Sequence, residues 1–201
     1  TASTDLTAAV RSSELTFITV GTPFDGKSID TSYVEGAARQ IGTLLADMND
    51  YHGVVVKSTV VPGTTDQVVK PILEAASGKR CGEHFGLCMN PEFLSEGTAV
   101  HDFLYPDRLV FGGVDDRSND RLEALYAPFP ASVPRLRTNT RTAEMIKYAS
   151  NALLANLISF SNEIANLGAR IGEIDASEVM RGVHLSQYFS QHNADGLPSI
   201  T

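Results

Sequence analysis

The chain has 201 residues, 42% of them hydrophobic, with 16 basic against 24 acidic side chains and a formal net charge of −8. That is enough apolar material for a buried core, which excludes disordered and collagen-like classes. The acidic balance, without any Lys/Arg cluster, argues against a nucleic-acid partner held through a basic patch. No run of 18 apolar residues and no leader-like opening is seen, so no membrane partner is expected. Cys81 and Cys88 are too few for a disulfide framework and lack metal-ligand spacing, which fits a reducing, cytoplasmic compartment. The sequence opens without Met inside patterned sequence, and it reads as an internal fragment.

Short apolar runs alternate with stretches of helical period, the pattern of an α/β protein with a parallel sheet. Strands are expected at Leu15 to Val20, Gly53 to Ser58, Phe85 to Met89, Arg108 to Phe111 and, more weakly, Val133 to Arg137. Between the first two, Val34, Ala38, Ile41, Leu45 and Met48 step along one face of a crossover helix over Thr31 to Asp47. Thr65 to Ala76 and Ser118 to Ala127 fill the next gaps, the latter with Ser118 as N-cap and Asp120 in its first turn. A long helix follows over Thr142 to Leu167, with an apolar stripe through Ile146, Ala149, Leu153, Leu157, Phe160, Ile164 and Leu167. Gly168 and Gly172 offer stops, and Asp175 to Glu178 opens a short helix reaching Val183. The tail from Ser186 has no period. Three regions result: 1–138 as the sheet domain, 139–185 as a central helical domain, and 186–201 as an irregular tail.

Four segments could carry chemistry. Val20-Gly21-Thr22-Pro23 closes the first strand, where an open parallel sheet binds its ligands; an ordinary strand exit reads equally from these residues. Ser58 and Thr59 open a hydroxyl-rich loop that could hold a polar ligand or a water, or could simply cap the next helix through Thr64 or Thr65. In Asn90-Pro-Glu-Phe-Leu-Ser-Glu-Gly97, Glu92 and Glu96 would share one face of any helical turn. Such a pair is either a solvated face or, with Phe93 and Leu94 alongside, a part-buried acid whose raised pKa suits proton transfer. On the long helix, Lys147 and Asn151 lie one turn apart, a surface pair or a cation and amide able to stabilise an oxyanion. The five histidines are scattered, none is assigned to a metal, and the two cysteines read as inert.

Together these segments, in this order, resemble the nucleotide-sugar dehydrogenases, and most closely their UDP-glucose-oxidising branch. The resemblance is carried by Thr4-Asp5, Val20 to Pro23, Asp25-Gly26 with Asp30, Ser58 to Val60 with Pro62-Gly63, Asn90 to Leu94 with Glu96-Gly97, Pro106 to Arg108, and Ala143 to Asn151 with Ser159 to Glu163. The Asn90 to Leu94 and Pro106 to Arg108 pairing points to that branch rather than to those acting on GDP-mannose or UDP-N-acetylmannosamine. The resemblance implies a partial Rossmann-type sheet, then a long central helix and a short helical segment. It implies NAD-dependent oxidation of UDP-glucose at its C6 alcohol to a carboxylate, by two hydride transfers through a cysteine thiohemiacetal and thioester.

The roles it implies are Glu92 as base, Lys147 and Asn151 stabilising the oxyanion, and Thr59 ordering the water. Val20, Gly21, Thr22, Pro23, Phe24, Ser58, Thr59, Val60 and Glu96 would touch NAD. Glu92, Phe93, Leu94, Ser95, Glu96, Lys147 and Asn151 would line the sugar nucleotide, and the long helix would form a homodimer or higher oligomer. No Gly-x-Gly-x-x-Gly fingerprint occurs, so the first Rossmann strands are expected before Thr1 and the cysteine loop after Thr201. Ser186-Gln-Tyr-Phe189 stands where the family shows Asp-x-Arg-Ile. A non-catalytic chain that only dimerises, and a dehydrogenase for another nucleotide sugar, are the rival readings.

Overall fold

A computed structural model describes residues 2–186. Residues 1–149 form one unit and 150–201 a second. The tail from Gln187, with most of the Ser186 to Phe189 departure, lies outside the described residues.

The first unit is built on a five-stranded sheet in the order β1-β2-β3-β4-β5. These strands are Leu15–Ile18, His52–Val56, Phe85–Met89, Leu109–Gly113 and Arg135–Thr138. All five expected strands are present, most with shifted ends. The first three pair in parallel, as do β4 and β5. The sheet is not parallel throughout, because β4 runs antiparallel to β3 through Cys88–Gly113 and Met89–Gly112. The reason lies in the connection. Asn90 to Arg108 stays beyond the carboxyl end of β3 and carries only the short helix α4, Ala99–Leu104, so no crossover returns the chain to the other end.

Every residue of β2, β3 and β4 is buried, as expected of strands covered on both faces. Alternation divides them: Val54, Val56, Leu87 and Met89 join one core with Val34, Ala38, Ile41 and Leu73, while Val55 and Cys88 join Phe111, Leu122 and Tyr126 on the other face. Helix α1 is Leu6–Arg11 and α2 is Ser32–Leu45. A π-helical turn, Thr65–Val69, runs straight into α3, Lys70–Ser77. Gly42 lets α2 and α3 meet closely, since a Cβ there would stand 2.7 Å from that of Ala76.

Helix α5 spans Asp116–Leu125. Its cap is Asp115, which accepts from the Ser118 N–H, and Asp116 is the acid of the first turn; Ser118 and Asp120 do not fill those places. Asp120 instead receives Arg137 at 2.7 Å. Helix α6, Thr140–Ile171, begins two residues earlier than the apolar pattern suggests, because Asn139 Oδ1 accepts from the Thr142 N–H. It passes through Gly168 and stops at Gly172, whose φ of 87° is the left-handed conformation that ends helices.

In the second unit, the rest of α6 exposes Leu153, Leu154, Leu157, Ile158, Phe160 and Leu167. Helix α7, Ala176–His184, is capped by Asp175 as expected. Among the described residues no helix is long and apolar enough to cross a membrane, and no group of His, Cys, Asp and Glu could hold a metal ion.

Candidate active site

The carboxyl ends of β1, β2 and β3 lie side by side, and the predicted segments sit there. Between the first two strands the contacts are backbone-directed. Ser58 Oγ donates to the Val20 carbonyl at 2.6 Å and Thr22 Oγ1 to that of Thr59 at 2.8 Å. The two segments assigned to NAD are thus tied together. Ser58 and Val60 are buried, Thr59 is half-buried, and Gly21, Pro23 and Phe24 are exposed. A Cβ on Gly21 would meet nothing within 4 Å, so the turn leaves open space above it. Hydroxyls that fix the turn, together with an open backbone, fit the polar end of a dinucleotide laid across two parallel strands.

The loop then turns through Val61 to Thr65. Thr64 does not cap the following helix with its side chain, since Thr64 Oγ1 donates back to the Val61 carbonyl at 2.6 Å. A distant residue does the capping. The buried Glu144, on α6, accepts from the Gly63 N–H at 2.5 Å and the Thr65 N–H at 2.8 Å. Its pKa stands above the ordinary carboxylate range because burial outweighs those donors.

One turn along α6, the nearly buried Lys147 brings its Nζ within 3.0 Å of Glu92 Oε1. The segment Asn90 to Ser95 is irregular, not helical. Glu92 and Glu96 therefore share no helical face: Glu92 turns into a cleft, Leu94 and Ser95 stand exposed at that cleft's border, and Glu96 stands in solvent outside it. The Ser95 N–H donates to Asp102, at the surface. Phe93 underlies the site, with the Arg108 guanidinium 3.7 Å above its ring and the Lys147 ammonium 5.6 Å from it. Arg108 also meets Asp107 at 2.6 Å, the ion pair those neighbours suggest.

The expectation of a raised Glu92 pKa is overturned. Burial pushes it up, but the Leu94 N–H at 2.7 Å and the Lys147 and Lys57 ammonium groups together bring it below the ordinary range. Glu92 is held as a carboxylate, able to accept a proton. Asn151 is one turn past Lys147 in sequence, exposed, and belongs to the second unit.

Three residues beneath Glu92 escaped the sequence reading. Asn90 is buried, donates to the Val110 carbonyl at 2.8 Å, and accepts from Tyr126 Oη at 2.5 Å and Lys57 Nζ at 3.1 Å. Lys57, Asn90, Glu92, Phe93, Arg108 and Tyr126 all border one cleft of about 220 Å³. A lysine ending a Val-rich strand was the available signal. The two cysteines are free, and burial pushes each thiol up to about 12, so neither offers a thiolate near neutral pH.

A parallel sheet with an open turn at its carboxyl edge, beside a half-buried, charge-paired carboxylate, is the arrangement of a dinucleotide-binding α/β fold. Comparison with known families makes this specific. Residues 1–130 match the NAD binding domain, and 141–197 the central domain, of the UDP-glucose/GDP-mannose dehydrogenase family. The chain belongs to that family, and NAD is its cofactor.

The chain is 42% identical over 193 residues to GDP-mannose 6-dehydrogenase of Pseudomonas syringae pv. tomato, covering 92% of this chain and 43% of that protein. It is 45% identical over 176 residues to UDP-glucose 6-dehydrogenase AglM of Haloferax volcanii, covering 86% and 41%. Among solved structures, a ternary complex of GDP-mannose dehydrogenase from Pseudomonas aeruginosa superposes with a TM-score of 0.87 at 40% identity, over 94% of this chain and 44% of that one. The UDP-glucose dehydrogenase of Pyrobaculum islandicum gives 0.84 at 41%, over 92% and 41%. The chain thus spans less than half the length of the relatives it matches. These values do not favour the UDP-glucose branch over the GDP-mannose branch.

Proposed function

We propose that this chain serves the four-electron oxidation of a nucleotide sugar at its C6 alcohol, giving the uronate, with two NAD reduced and one water consumed. NAD, when bound, supplies the hydride acceptor. The observation that carries the reading is the Lys147–Glu92 pair at 3.0 Å at the mouth of the sheet. Glu92, ionised, takes the proton of the water that hydrolyses the thioester, and Lys147 donates to the oxygen on which negative charge develops. Thr59 helps order that water, and Asn151 adds a second donor. The thiol is assigned to neither Cys81 nor Cys88. Val20 to Phe24, Ser58 to Val60 and Glu96 are assigned to NAD, and Phe93 to Glu96 to the sugar nucleotide.

UDP-glucose is the substrate proposed, supported by the 45% identity to AglM. GDP-mannose is the second reading, supported by the 42% identity across 92% of the chain. Turnover of both by the full-length enzyme separates them. In that enzyme, Lys147→Met is expected to lower kcat by about 100- to 1,000-fold, the usual loss of an oxyanion donor. Glu92→Gln should release a burst of two NADH per site and then stall, with an acyl adduct visible by mass. Steady turnover by Glu92→Gln would overturn the assignment.

A homodimer in the cytoplasm completes the reading, supported by the exposed Leu153, Leu154, Leu157 and Ile158 of α6. Light scattering should show Ile158→Glu shifted toward monomer.

A further inference from the structure

Lys57 directly follows β2, and its side chain reaches Asn90, the residue after β3. Its Nζ lies 3.1 Å from Asn90 Oδ1 and 3.4 Å from the Asn90 carbonyl. Asn90 itself cannot yield: its backbone N–H donates to the Val56 carbonyl at 2.9 Å, and its side chain is fixed by Val110 and Tyr126. Lys57 is therefore pinned in the floor of the cleft whose wall, two residues after Asn90, is Glu92.

Two cations then act on the carboxylate, Lys147 from α6 and Lys57 from just after β2. In so enclosed a place a second charge acts over several ångströms. The other ionisable groups bordering the cleft have partners of their own: Asp107 with Arg108, Asp102 with the Ser95 N–H, Thr98 Oγ1 and His101, and Tyr105 with the His101 ring. Tyr126, pushed up to about 12 by burial, stays a neutral donor.

We propose that Lys57 is a positioning residue for Glu92: its ammonium, held by Asn90 in the cleft that Glu92 also borders, adds to the groups that favour the ionised carboxylate. This rests on the reading of Glu92 as the base. It also places a limit on the working range, because burial drops the Lys57 ammonium to about 8, with Glu92 raising it and Lys147 lowering it. Above that pH the charge of Lys57 is lost.

The test is a ¹³C NMR titration of the Glu92 carboxyl in the wild-type protein and in Lys57→Met, which keeps the aliphatic stem and removes the charge. The Glu92 midpoint should move upward in the variant. The wild-type carboxyl signal should also show a second inflection near pH 8, coincident with the Lys57 Cε signal and absent from Lys57→Met. Absence of either change overturns the proposal. Should Lys57→Met fail to fold, the wild-type inflection alone decides. A shifted midpoint together with undiminished turnover by Glu92→Gln would leave the Lys57 coupling standing while removing Glu92 from catalysis.

Discussion

The ends of β1 and β2 and the end of β3 are neighbours on one sheet edge, yet they use polar side chains in opposite ways. At the first, Ser58 and Thr22 each donate to a backbone carbonyl of the other segment, and their chemistry goes into the shape of the turn. At the second, Lys147 pairs directly with Glu92, and Lys57 is held on Asn90 in the cleft that Glu92 borders. Hydroxyls are cheap to bury on a carbonyl, whereas buried charges need partners and hold their fields where solvent would screen them. The first edge is a turn fixed by hydroxyls, and the second is a cluster of paired charges. Helix α6 joins them, Glu144 clamping the loop after β2 and Lys147, one turn on, meeting Glu92.

If the clamp joins the two edges, removing it should produce the largest stability loss. Glu144→Leu strands two buried N–H groups, of Gly63 and Thr65, at about 1–3 kcal/mol each. A denaturant titration should show a loss in that summed range, with Glu144→Gln, which keeps an acceptor, losing less. An unchanged midpoint for the leucine variant would separate the edges. Next in size is Asn90→Leu, which leaves the Val110 carbonyl, Tyr126 Oη and Lys57 without their shared partner and should cost about 2–3 kcal/mol. Tyr126→Phe, which removes one donor only, should cost about 1 kcal/mol in the same assay.

The two carboxylates also sharpen the contrast through pH. Glu92 has its pKa lowered on folding, since Leu94, Lys147 and Lys57 together outweigh the burial that raises it. Its stabilisation is therefore present above the ordinary carboxylate value and lost as pH falls through the depressed folded one. Glu144 is raised by burial, so the folded state binds its proton more firmly than the unfolded chain. Its effect has the opposite sign: stability declines as pH climbs from the ordinary carboxylate value through the raised folded one. Unfolding free energies across a pH series should show Glu92→Gln flattening the acid-side loss and Glu144→Gln flattening the decline at higher pH. Equal slopes in both variants would refute the distinction.

Much of this was legible in the residues. Runs such as Val54-Val55-Val56, short and β-branched, read as strands buried on both faces, and the three-four spacing from Val34 to Leu45 reads as one helix face. What stayed hidden depends on contacts across the fold. Nothing local in Asn90 to Arg108 says that β4 returns antiparallel, because that follows from which end of the sheet the loop stays near. The sign of the Glu92 shift was misread for two reasons: Phe93 and Leu94 signal burial, but the Leu94 N–H folds back onto the carboxylate, and the cations that add to its effect come from positions 147 and 57. Ser118 reads as a cap until Asp115, one turn earlier, takes its N–H.

The smallest effect tests the turn itself. Ser58→Ala removes the hydroxyl that donates to the Val20 carbonyl at 2.6 Å and should cost about 1 kcal/mol, the net worth of one neutral hydrogen bond. Thr22→Val, which deletes the reciprocal link to Thr59 while keeping the branched shape, should cost about the same. Because both bonds hold the same two segments together, the double variant should lose a different amount from the sum of the singles, the mark of shared partners. In the full-length enzyme the pair should raise the KM for NAD while leaving the Glu92 titration unmoved, since the charged edge owes its field to Lys57 and Lys147. A change in that titration would mean that the two edges form one site with a common electrostatic balance.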